Sequence, residues 1–176
     1  MGKTFEKKLP YKKAICYSGY REGQCPTGEM PSKEQISEDL HLLVADGYGY
    51  IRMYEPRIWM QSPMRSTSSV FIPTHTIWML QLRMHLRKQR KASSLHKQIC
   101  FTELGWATRT AHDDHADYAS VANQKRYLEE VADYLKSEEI VGFVFEAFDE
   151  LWKDPSSPAA SECNWGIYDI NRKKKW

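Results

Sequence analysis

The stretch Gln98-Ile99-Cys100-Phe101-Thr102-Glu103-Leu104-Gly105-Trp106 constrains the fold more than any other. Its apolar residues run without the alternation of a half-exposed strand. The segment is therefore predicted to be a strand covered on both faces, as in a parallel sheet flanked by helices. Barrels of such strands carry their chemistry at the strands' C-terminal ends. Glu103 is expected at that end, with Gly105 permitting a sharp turn and Trp106 forming a flat apolar wall beside the acid. The pattern equally describes a core strand that finishes on a solvated glutamate. A second stretch, Ile140-Val141-Gly142-Phe143-Val144-Phe145-Glu146-Ala147-Phe148-Asp149-Glu150-Leu151-Trp152-Lys153, repeats the design. Two strands ending in carboxylates and aromatic rings suit a sugar ring better than a bare core.

Between and before these strands the periods alternate. Residues 14 to 18 are predicted as a first strand that ends in a polar loop, Ser18 to Gln24. Ser32 and Gln35 have capping-box spacing, and Ile36, Leu40, Leu43 and Val44 follow on one predicted helix face. Tyr50 to Tyr54 is the second strand, so residues 14–54 form a βαβ unit. Residues 55–70 are an anomalous junction rich in Met, Ser, Pro and Arg, without a clean period. Phe71 to Thr76 has strand character weakened by Pro73, and residues 77 to 97 allow a poorly patterned helix. His112 and His115 among acids admit a metal reading, but a solvated loop whose acids favour a helix N-terminus is the expectation. That helix is predicted over Tyr118 to Lys136, burying Val121, Leu128, Val131 and Leu135.

The 176 residues suffice for a single domain, 1–176, and the net charge of +2 makes no case for a nucleic-acid partner. The basic runs Arg83–Lys91 and Arg172–Lys175 are expected to be a solvated face and a solvated tail. The basic start of the chain lacks an apolar stretch after it, and no segment has the length and apolarity of a membrane span. Cys16, Cys25, Cys100 and Cys163 lack any close pairing. The expectation is a cytoplasmic protein with reduced thiols, no membrane partner and no cofactor or metal.

The motifs Thr102-Glu103-Leu104-Gly105-Trp106, Phe145-Glu146-Ala147-Phe148-Asp149-Glu150-Leu151-Trp152-Lys153 and Glu162-Cys163-Asn164-Trp165-Gly166-Ile167 together resemble glycoside hydrolase family 17. Ala14 to Gln24 and Tyr50 to Tyr54 fit the microbial branch of the same family, while Ala107 and Leu151 stand where it usually has proline. The resemblance implies a (β/α)8 barrel acting on β-1,3-glucan with retention. Such barrels typically need about 250 residues, so the expected fold is a partial α/β barrel of about five strands. The family's third, fourth and fifth strands find no counterpart between residue 55 and Phe71, whose segment through Thr76 resembles the sixth. Five strands leave open edges, which are expected to promote self-association.

Retaining glycosidases place two carboxyl groups about 5 Å apart, one as nucleophile and one as acid and then base. The resemblance assigns Glu103 as nucleophile. It assigns Glu150, Lys153 and Glu162 to a group supporting it, Tyr17 to the site floor, and Trp106, Trp152 and Trp165, with Tyr54 and His75, to substrate binding. The family's acid/base lies in a Gly-Asn-Glu motif, and that tripeptide occurs nowhere in the chain. An enzyme would need another acid, such as Glu55 or Glu146. The alternative is a non-catalytic remnant that binds glucan through its tryptophans, and weak or no turnover is expected.

Overall fold

The computed structural model describes residues 9–54, 100–111 and 117–176. They form four strands, β1 (Lys13–Tyr17), β2 (Tyr48–Met53), β3 (Cys100–Gly105) and β4 (Val141–Phe145), and two long helices, α1 (Lys33–Ala45) and α2 (Val121–Ser137). All pairings are parallel, and the strand order is β2-β1-β4-β3. The expected fifth strand, Phe71 to Thr76, lies outside the described residues, as do His75, Glu55 and His112 to His115.

Strand order and helix placement identify the kind of α/β sheet. The steps β1-α1-β2 and β3-α2-β4 move in the same direction along the sheet, so right-handed crossovers put both helices on one face. The core agrees: Ile15 and Tyr17 of β1, Leu43 of α1, and Leu128, Val131 and Leu135 of α2 belong to one buried cluster. A doubly wound sheet would reverse direction and layer both faces. The first and last strands are also neighbours, as at the seam of a barrel. The fold is thus a partial, barrel-like parallel α/β sheet.

Local signals account for both helix starts. Ser32 and Gln35 make the complete capping box, and Ser120 accepts a hydrogen bond from the Asn123 amide. The buried stripes differ from expectation. Val44 is 67% exposed and Val121 38%, whereas Asp39 and Gln124 are fully enclosed. The polar pair is buried because each side chain is hydrogen-bonded on several sides, which offsets its desolvation.

The basic run Arg172–Lys175 corrects the solvated-tail expectation. Arg172 is buried and grips Asp39 of α1 with two donors, at 2.9 and 3.0 Å, while its guanidinium lies over the Phe148 ring. Lys174 reaches Asp46 at 2.7 Å, Lys175 reaches Asp149 at 2.7 Å, and the Trp176 indole donates to Gln124 of α2. Residues 169–176 thereby span from α1 to α2 and fill the helix layer outside β1 and β4. Lys173 and Lys174 keep the exposed character expected of the run, Lys174 while paired with Asp46. No helix among the described residues is long and apolar enough to cross a membrane.

Candidate active site

Three strands bring the first cluster together. Glu103 on β3 points to the side of the sheet where Arg52 of β2 ends, and their charges meet at 2.5 Å. The Arg52 guanidinium also donates to the Thr102 carbonyl at 3.1 Å and to the Tyr54 hydroxyl at 2.7 Å. Tyr54 in turn donates to the same Glu103 oxygen at 3.0 Å, with its ring beneath the guanidinium. Two donors on one carboxylate oxygen fix the acid's orientation. The carboxylate side chain remains 30% exposed. Burial, then the negative charge that Cys16 and Glu103 can carry, holds the Tyr54 hydroxyl far above its ordinary range, so Tyr54 is a hydrogen-bond donor and not an acid. Burial pushes the neighbouring Cys16 thiol up to about 12, which leaves it a protonated, unreactive neighbour.

The second cluster forms where β4 ends. Lys153 bridges Glu146 at 2.8 Å and Glu150 at 2.6 Å, and the Trp152 indole donates to Glu150 at 3.0 Å. Both carboxyls are almost wholly buried. Burial, and next the adjacent Glu150 charge, drive the Glu146 carboxyl well above the usual range. Burial acts the same way on Glu150, but hydrogen bonding from Glu146 and the Lys153 charge outweigh it, so Glu150 stays ionised. The two acids share a proton and Lys153 balances the remaining charge, which is how a buried pair of like groups becomes tolerable.

Phe145 joins the clusters. Its ring meets Tyr54 edge-on at 6.2 Å and Trp165 at 5.7 Å, and the Lys153 ammonium sits 4.6 Å from its centre. Trp165 reaches this place because its chain runs beside the residues after β4: Glu146 donates its amide to the Trp165 carbonyl, and Ile167 donates to the Glu146 carbonyl. Gly105 is required at the same point. A Cβ there would lie 2.0 Å from the Phe145 carbonyl oxygen and 3.1 Å from the Trp165 ring.

No protein-family model matches the chain. A glucan 1,3-beta-glucosidase of Arthroderma benhamiae is 34% identical to it over 82 residues, which cover 44% of this chain and 27% of that protein. Over that stretch the chain is similar to a protein named for action on a β-1,3-glucan. It spans about a quarter of the length of this curated relative. Among solved structures, a family 17 beta-1,3-glucanosyltransferase from Rhizomucor miehei is 27% identical, covering 54% of this chain and 34% of that one, with a TM-score of 0.44. An active-site mutant of the Rhizomucor miehei beta-1,3-glucanosyltransferase, in complex with laminaritriose, gives 26% identity, the same coverage and the same TM-score. An endo-laminarinase from Formosa Hel1_33_131 is 21% identical, covering 53% of this chain and 24% of that one, with a TM-score of 0.48.

The sheet gathers only some of the residues assigned from sequence. Glu103 and Tyr54 meet directly, and Glu150, Lys153 and Trp152 form one hydrogen-bonded group. Trp165 adjoins both through Phe145. Tyr17 is placed otherwise: it is buried in the helix-side core and its hydroxyl donates to Asp39 at 3.2 Å. Trp106 packs against Tyr127 of α2 and donates its indole N–H to the Tyr118 carbonyl, so its ring is committed to the helix layer. Glu162 lies exposed on a short turn, Ser161–Cys163, without an ion pair to any described residue. Arg52 joins the site although no motif marks it. A charged side chain in the middle of a strand that pairs with β1 needs a partner, and that was the available signal.

Proposed function

We propose that the family 17-like chain carries the nucleophile side and aromatic wall of a retaining site for β-1,3-glucan. The observation that supports it best is Glu103 near the end of β3, held on one oxygen by Arg52 and Tyr54 and bordered through Tyr54 by the Phe145 and Trp165 rings. An oriented and part-exposed carboxylate beside apolar ring edges is what attack on an anomeric carbon requires.

The proton donor is the half missing among the described residues. Glu146 holds a proton but is sealed from solvent, with its carboxyl bonded to Lys153, so it does not serve a leaving group. General acid assistance is worth about 100- to 10,000-fold, so the chain's own turnover of natural glucan is weak or absent. Laminarin gives no detectable reducing sugar in this reading. An aryl β-glucan oligosaccharide with a good leaving group, in the presence of azide, bypasses proton transfer in both half-reactions and gives slow turnover lost in Glu103→Gln. Laminarin hydrolysis at ordinary enzyme rates would show that another residue supplies the acid.

A second reading, glucan binding without chemistry, is favoured by the occupation of Glu146 and Glu150 with Lys153. Silence of both substrates, with laminarin still bound, would select it.

A further inference from the structure

Gln124 of α2 is fully buried, yet it touches neither cluster of acids. Its amide nitrogen donates to the Trp106 carbonyl at 3.0 Å, the Trp165 carbonyl at 3.0 Å and the Gly166 carbonyl at 3.1 Å. Its amide oxygen accepts from the Trp176 indole at 3.1 Å. One side chain thus ties the loop after β3 to the loop that carries Trp165. A buried amide is costly unless bonded, and here both ends are bonded, so rotation or withdrawal would strand the Trp106 and Gly166 carbonyls and leave the Trp165 carbonyl with the Glu146 amide alone. The Trp165 ring has no comparable anchor of its own, because its indole N–H is buried without a partner among the described residues. The ring's position against Phe145 and Gly105 is therefore set through its backbone.

We propose that Gln124 is a positioning residue for the sugar-stacking wall, fixing the Trp165 ring against Phe145 from the far side of the sheet. This rests on the glucan-site reading above for its functional consequence, but not for its structural one. Stacking depends on ring placement, so a loosened Trp165 would weaken oligosaccharide binding without altering the Glu103, Arg52 and Tyr54 group.

The test uses the full chain with Gln124→Met, which keeps length but removes the donors. Gln124→Asn, which keeps the amide but draws it back by one carbon, is the milder variant should the first not fold. Trp176→Phe, which spares the three carbonyl bonds, is the control. The indole N–H resonance of Trp165, identified by its loss in Trp165→Phe, is expected to shift and broaden in the Gln124 variants, while that of Trp152, held by Glu150, stays in place. An unmoved Trp165 resonance overturns the proposal whether or not glucan binds. Laminaritriose binding is expected to weaken about fivefold to tenfold in the Gln124 variants, an effect of the size of one or two lost hydrogen bonds, and not in the control. In a Trp165→Ala background the Gln124 substitution is expected to change binding no further. A full effect persisting there would show that Gln124 acts by some other route. Wild-type chain that binds no laminaritriose, with the Trp165 resonance still moved by the Gln124 variants, would sink the glucan reading and leave the positioning role standing.

Discussion

Replacing Arg172 with alanine removes a buried cation whose carboxylate partner stays behind. Asp39 is fully buried and receives two donors from Arg172, one from Arg21 at 3.1 Å and the Tyr17 hydroxyl at 3.2 Å. Arg172 also satisfies the Gly19 and Ile170 carbonyls and stacks on Phe148. Breaking a buried pair from one side costs about 3–5 kcal/mol, since the remaining charge is left without its compensation. Arg21 survives as a second cation, which places the loss near the lower end, about 3 kcal/mol. At about 2–4 °C per kcal/mol for a chain of this size, the melting temperature should fall by roughly 6–12 °C. Thermal and urea unfolding at neutral pH measure this. Lys173→Ala, exposed in the same run, is the control and should stay within about 0.5 kcal/mol. A double substitution, Arg172→Ala with Asp39→Asn, should recover part of the loss because the stranded charge is gone. Arg172→Ala indistinguishable from Lys173→Ala would return the run to the solvated tail that its composition suggests, and the argument from burial would fail.

Three further outcomes follow from the site. Glu103→Gln should abolish turnover of the activated substrate while changing laminaritriose affinity by less than about threefold, because the lost charge acts on the transition state; calorimetric titration beside the rate assay checks both. Gly105→Ala should destabilise by about 1–3 kcal/mol and displace the Trp165 ring, since its Cβ would meet the Phe145 carbonyl, and near-ultraviolet circular dichroism with a melt would detect it. Glu146 keeps its proton in the folded state above the range where the unfolded group loses it, so its stabilising share is complete at low pH and is lost as pH rises through the folded value. Glu146→Gln should therefore flatten the decline in melting temperature as pH is raised from the usual carboxylate range toward alkaline values, and an unchanged decline would assign it to another group.

Local chemistry made part of this molecule legible. The capping box at Ser32 and the unbroken apolar runs of β1, β3 and β4 depend on residues a few positions apart, and they form as expected. What sequence concealed were polar residues whose partners come from far along the chain. Asp39 sits on the buried stripe of α1 only because Arg172 arrives from 133 positions away, and Gln124 takes a core place because Trp106, Trp165 and Trp176 converge on it. Hydrophobic periodicity scores both as surface residues, and so it moved the expected stripes onto Val44 and Val121 instead.

The same limit divides the site. Glu103 was legible as an acid closing an apolar run, and Tyr54 through the motif around it. Strand parity puts the Tyr17 side chain on the other side of β1 from Cys16. Cys16 shares its side of β1 with Arg52 and the Thr102 carbonyl, so the next residue along must face the helices, where Tyr17 finds Asp39. Parity also explains why Arg52 belongs beside Glu103: the register Cys16 to Arg52 puts the two on one level of the sheet, and β3 supplies the carboxylate across from them. The aromatic wall was legible only in composition. Trp106, Trp152 and Trp165 look alike in sequence, yet their indole N–H groups meet three different fates: bonded to Tyr118, bonded to Glu150, and buried without a partner among the described residues. The ring whose own polar atom anchors nothing is the one that depends on a neighbour for its place, which is why a glutamine on α2 enters an account of a sugar site built on strands.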